Sequence, residues 1–206
     1  MFAEQFKKLE LDDTATILDL VSPHLDVSPL DPLQTIVLGV ALPFYKGYQF
    51  LDISDYGQVP ALRFFVLYNA KTGDAIKLNW TNEPIYALNK KLPIALSEKN
   101  VTDYVRFFLS YVRGKHGRFI PVENVDDIAW REDPPPAARR AISKMITPIT
   151  LETHEKGGDY KLKACMMFRD SLFKADISVK SDGAVHISGE ELLIEDMPVL
   201  DDVLGQ

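Results

Sequence analysis

The sequence predicts an α+β protein with antiparallel sheets in two packed lobes. Three observations carry that prediction. Residues 101–112 place apolar side chains at helical spacing. Two regions, 47–81 and 149–196, run as β-rich segments punctuated by turn residues. Between them, Arg131-Glu132-Asp133-Pro134-Pro135-Pro136 is a proline run that can continue neither a helix nor a sheet ladder. We therefore expect lobes at residues 1–133 and 137–206, with the amphipathic helix on the first and an antiparallel meander forming the second.

From the N-terminus, Phe2, Phe6, Leu9, Ile17, Leu18 and Val21 recur at roughly helical spacing until Pro23 and Pro29 interrupt it, which predicts short helices. Asp31-Pro32-Leu33-Gln34 has the form of a helix start, with a cap, a proline at the first position and a glutamine that can reach back. Ile36–Phe44, which follows, is β-branched enough to be a strand. Leu62–Trp80 predicts a hairpin. A three-residue loop, Lys71-Thr72-Gly73, would set Tyr68 against Ile76, Val66 against Leu78 and Phe64 against Trp80. Residues 84–89 and 92–96 read as further extended segments, with Pro84 and Pro93 at an edge or a strand start.

The helix stripe is Val101, Tyr104, Val105, Phe108, Leu109 and Val112. Asp103, Arg106, Ser110 and Arg113 lie opposite. Asn100 is the expected N-cap and Gly114 the expected left-handed C-terminal glycine. After Arg118 come a strand, an acidic turn, the proline run and a short helix at 137–146.

Three turns organise the meander. Gly157-Gly158 would pair Glu152 with Lys163. Asp170-Ser171 would pair Phe168 with Phe173, Met166 with Ala175, Ala164 with Ile177 and Leu162 with Val179. A three-residue Ser181-Asp182-Gly183 loop with Gly183 left-handed would pair Val179 with Val185. A two-residue turn there would break the apolar face.

Composition narrows the function classes. The chain has 206 residues, 46% of them hydrophobic, and a formal net charge of −7. An acidic surface repels nucleic acid and anionic lipid, so neither nucleic acid nor membrane is an expected partner. With a single cysteine, Cys165, no disulfide can form within the chain, which fits a cytoplasmic protein. No cofactor or metal is expected. The four histidines are scattered, and no metal-ligand motif occurs.

Two clusters are candidate sites. Arg113, Lys115, His116 and Arg118 are candidate anion ligands. Their expected place at a helix C-terminus also accounts for them as cations favoured by the helix dipole. In the meander, the predicted registers align Glu152, Lys163, Ser178 and His186 in one polar row, and Thr150, Cys165, Asp176 and Ser188 in the next. A serine beside a histidine and a lysine is raw material for a nucleophile and base, although the outer face of such a sheet is ordinarily polar and solvated. The aromatic segment Pro43–Phe50 could anchor a partner or plug the sheet end. The acidic, apolar-studded C-terminal segment, with Glu190, Glu191, Glu195, Asp196, Asp201 and Asp202, is a candidate dock for a protein partner. The expectation is a binding or interaction protein without enzymatic activity. The alternative is a small enzyme between the lobes using His186 with Ser178 or Lys163, or an anion-binding protein using the Arg113–Arg118 loop.

Overall fold

The computed structural model describes residues 5–114, 117–154 and 158–200. The chain forms two five-stranded sheets, antiparallel at every strand pairing. Its contacts divide it into two units, one of Met1–Asn79 and Glu83–Ala95, the other of Trp80–Asn82 and Leu96–Gln206.

In the first unit, β1 (Lys7–Lys8), β2 (Thr35–Ala41), β3 (Gln49–Asp55), β4 (Leu62–Tyr68) and β5 (Ala75–Lys77) lie in chain order. Helix α1 (Leu11–Val21) buries Leu18 and Val21 in one core with Val37, Leu51, Ile53, Phe64 and Val66. Asp31-Pro32-Leu33-Gln34 forms a turn rather than a helix. Asp31 Oδ1 accepts the Leu33 N–H at 2.9 Å, Gln34 N–H donates to the Asp31 carbonyl, and the chain then enters β2.

The β4–β5 hairpin differs from its expected register by one residue. Val66 faces Lys77, Leu67 faces Ile76 and Tyr68 faces Ala75. Gly73 is left-handed as expected (φ +73°), but the loop has four residues, Ala70 to Gly73. Asn69 lengthens it. Its carbonyl accepts the Gly73 N–H and its side chain accepts the Lys71 N–H, an Asx-turn. The hydrophobic pattern could not choose the register, because β4 is apolar on both faces. Phe65 and Leu67 are buried along with Phe64, Val66 and Tyr68. Residues 84–89, expected to be extended, belong to helix α2 (Glu83–Lys91), with Pro84 in its first turn, where a missing N–H costs nothing.

The second unit contains α3 (Val101–Tyr111), β6 (Phe119–Pro121), α4 (Pro136–Ser143), β7 (Thr150–His154), β8 (Tyr160–Phe168), β9 (Ser171–Val179) and β10 (Val185–Ile194). Helix α3 and strand β6, read from sequence with the first lobe, stand here. β6 pairs with β8, and α3 packs on β6 and β7. That long-range strand pairing has no local sequence signal. The predicted stripe of α3 is buried from Val101 to Leu109, and Phe107 is buried with it. The Tyr104 hydroxyl donates to the Gly183 carbonyl at 2.6 Å and ties the helix to the third turn of the meander. Asn100 does not cap the helix through its side chain, which instead accepts the Ser97 N–H.

The third turn matches expectation, with Val179 opposite Val185, Ile177 opposite Ile187 and Gly183 at φ +83°. The second does not. Phe168 faces Ser171, Met166 faces Phe173 and Ala164 faces Ala175, so the turn is Arg169-Asp170. A slip of two residues keeps every side chain on its face, so burial alone could not exclude it. In the first turn, Lys163 faces Thr150, two residues from its expected partner, and a bulge at Glu152 accounts for one of the two. Residues 155–157, including Gly157, lie outside the described residues.

A candidate anion site at Trp80 and Arg113

Gly114 does not end helix α3. The chain is already extended at Val112 (φ −120°, ψ 134°). Gly114 and Gly117 instead exchange backbone hydrogen bonds, Gly114 N–H to Gly117 O at 2.8 Å and the reverse at 3.3 Å. Arg113 and Arg118 therefore flank a tight reversal. Lys115 and His116 lie outside the described residues.

Both flanking arginines converge on Trp80. The Arg113 N–H donates to the Trp80 carbonyl at 2.8 Å. The Arg113 guanidinium lies 4.0 Å from the indole centroid and that of Arg118 lies 5.8 Å from it. Trp80 sits at φ +66°. A bulky side chain in the left-handed region is an outlier that costs about 1–3 kcal/mol, so surrounding contacts must hold it there. On the other side of the reversal, Gly117 (φ +140°) packs against Phe168, where an added Cβ would come within 3.1 Å of the ring. Phe168 stacks on Phe119, with Arg169 5.5 Å from its centroid.

Arg113 keeps one edge unused. Its Nε and Nη2 are buried and have no hydrogen-bond partner among the described residues. Those two nitrogens are the side-on fork by which a guanidinium grips a planar oxyanion. The protein shows the same fork engaged twice. Arg106 donates from Nε and Nη2 to the two oxygens of Glu123 at 2.6 and 2.7 Å. Arg63 does the same to Asp52 at 2.9 and 2.6 Å. Hydrogen bonding to Glu123 raises Arg106 above the ordinary guanidinium value. Burial pushes the Glu123 carboxyl up, but Arg106's hydrogen bond and charge outweigh this, helped by the Ile149 N–H, and hold it below the usual carboxylate range.

The polar row of the meander is only partly assembled. His186 faces Ser178, but Ser178 faces Lys161, while Lys163 faces Asp176. Lys163 still reaches Glu152 at 2.8 Å, and that hydrogen bond raises it above the ordinary lysine value. His186 is exposed, and no side-chain hydrogen bond joins it to Ser178. In the neighbouring row, Asp176 and Ser188 are partners, but Cys165 is not among them. It faces Lys174 and is buried in a core with Val122, Ile128, Met167, Met197 and Val199. Segments after β6 and after β10 thus cover the centre of the face read as polar. His154 faces Tyr160, stacks on its ring and contacts Glu98 at 3.2 Å.

The other candidate surfaces are largely occupied. Phe44, Tyr45, Tyr48 and Phe50 are all buried, and the Tyr45 hydroxyl donates to Asn89 at 2.6 Å, so the aromatic segment plugs its own unit. In the C-terminal segment Met197 and Val199 are buried, Trp130 bridges to Val199, and the Leu200 N–H donates to Ala129. Asp201 and Asp202 lie outside the described residues. Among the described residues no cluster of histidine, cysteine and carboxylate groups could hold a metal ion, and no helix is long and apolar enough to cross a membrane. Comparison with protein-family models, curated proteins and solved structures returns no match.

Sequence reasoning found Arg113 and Arg118 but missed Trp80, which the mistaken hairpin register placed opposite Phe64. The available signal was Asn79-Trp80-Thr81-Asn82 before Pro84, a turn-rich stretch that fits poorly inside a strand.

Proposed function

We propose that this is a binding protein that takes a compact oxyanion, a carboxylate or phosphate group, on the Nε and Nη2 edge of Arg113. The observation that carries this reading is the buried donor pair of Arg113 held against Trp80. A buried guanidinium edge without an acceptor is costly, and a two-oxygen acceptor relieves that cost. The indole fixes the guanidinium plane, so less rotamer freedom is lost on binding. Arg118, on the same ring, adds positive charge beside the acceptor. An acidic chain that concentrates arginines at one reversal has a local field opposite to its net charge.

The test uses Trp80 as its own reporter. The chain has two tryptophans, so Trp130→Phe leaves Trp80 as the only indole. Titration with inorganic phosphate, and separately with acetate, is expected to change its emission saturably. Arg113→Met should abolish the response, while Lys180→Met, at an exposed turn, should leave it intact. A response that is linear in anion concentration, or equal in both variants, would sink the reading.

A further inference from the structure

We infer that the Arg113 site prefers the dianion of a soluble phosphate monoester over a carboxylate, an inference that rests on the anion reading above and narrows it. A third arginine carries it. Strand β6 pairs with β8 so that Phe119 faces Phe168, and this register brings Arg118 and Arg169 to the next position. Arg118 shares the Trp80 indole with Arg113. The Arg169 guanidinium lies 5.5 Å from the centroid of Phe168, the ring packed against Gly117. Three guanidinium groups thus sit on two rings that flank one reversal. Like charges so placed repel, and a bound anion relieves the repulsion.

The charge of the cluster selects the class of anion. Neither Arg113 nor Arg169 forms an ion pair among the described residues. The acid of the β8–β9 turn, Asp170, accepts instead from the Ser171 hydroxyl at 3.2 Å. A carboxylate brings a single charge and two oxygens, and the Arg113 fork uses both. A phosphate monoester carries a charge of about −1.5 to −2 at neutral pH and three terminal oxygens. Two of those oxygens fill the fork. The third, with the second charge, is left to the field of Arg118 and Arg169. Because the fork is buried, a small soluble ester suits it better than a headgroup held in a membrane.

The emission of Trp80 in the Trp130→Phe chain reads out the test. At about pH 8 methyl phosphate is a dianion, whereas dimethyl phosphate and acetate are monoanions. Methyl phosphate is expected to bind about tenfold more tightly than either, the scale of one added charge-assisted contact. Arg169→Met should weaken methyl phosphate about threefold, as for an exposed ion pair, and Arg169→Lys should restore it. Thermal unfolding of both variants guards against a folding artefact. Equal affinity for the three anions, all lost in Arg113→Met, would overturn the inference and leave the anion site standing. So would an Arg169→Met chain that binds methyl phosphate as tightly as its parent. The absence of a saturable response to any of the three would overturn both readings. Vesicles carrying phosphatidic acid should not sediment the protein, and sedimentation with them would move the source to a lipid and overturn the soluble assignment.

Discussion

Arg106 and Arg113 lie at the two ends of one argument about charge. Arg106 projects from the polar face of α3 and meets Glu123 with both oxygens in register, and Asp103 on the same helix takes its Nη1 at 2.8 Å. Arg113, just past the helix end, offers the same fork against an indole and meets no acceptor. A mirror of this contrast lies in the first unit, where Asp52 holds a guanidinium and the equally buried Asp55 does not. In each pair the residue type and burial are alike and only the partner differs. A paired group is explained by the fold, whereas the buried, unpartnered edge of Arg113 needs an acceptor from outside it.

The largest expected effect comes from removing Arg106. Arg106→Met strands a largely buried Glu123, and urea unfolding should show a loss of about 3 kcal/mol. Arg113→Met removes donors that no protein group uses, so the loss should stay within about 1 kcal/mol. Equal losses would break the comparison.

The pH dependence sharpens it. Glu123 titrates below the ordinary carboxylate value in the folded chain, so the unfolded chain binds its proton first. The stabilisation is therefore present above the unfolded value, about 4.3, and is lost as pH falls through the folded one. In Arg106→Met this component of acid destabilisation should disappear from the stability–pH curve.

The carboxylate pair should part in sign. Asp52→Asn is expected to cost about 1 kcal/mol, discounted because Arg63 is 62% exposed. Asp55→Asn keeps an oxygen for the Gly57 N–H and removes a charge that meets no cation among the described residues, so it should be neutral or stabilising by no more than about 0.5 kcal/mol. Thermal unfolding distinguishes the two. A smaller contrast separates the glycines. Gly183→Ala should cost about 1 kcal/mol because the turn needs φ +83°. Gly114→Ala should fall within about 0.5 kcal/mol, since among the described residues its new Cβ would meet only the Gly117 carbonyl at 3.5 Å.

Local pattern by itself determined the two-sheet α+β class, the stripe of α3, the loop at Gly183 and the pair of arginines beside Gly114 and Gly117. These are features in which spacing along the chain is also spacing in space. Tertiary structure decided the rest. β4 is apolar on both faces, so its register with β5 was open until Asn69 closed the loop. The Arg169-Asp170 turn differs from Asp170-Ser171 by a slip that burial cannot detect. Cys165 leaves its expected polar row because the chain around Val122 and Val199 covers it. Trp80 met Arg113 and Arg118, and Asp55 came to line a cavity with Asp31, across sequence gaps that no periodicity spans. Hydrophobic periodicity reports which side of an element is buried. It does not report which distant group will face a charge, and in this protein the unpartnered edge of Arg113 marks the candidate site.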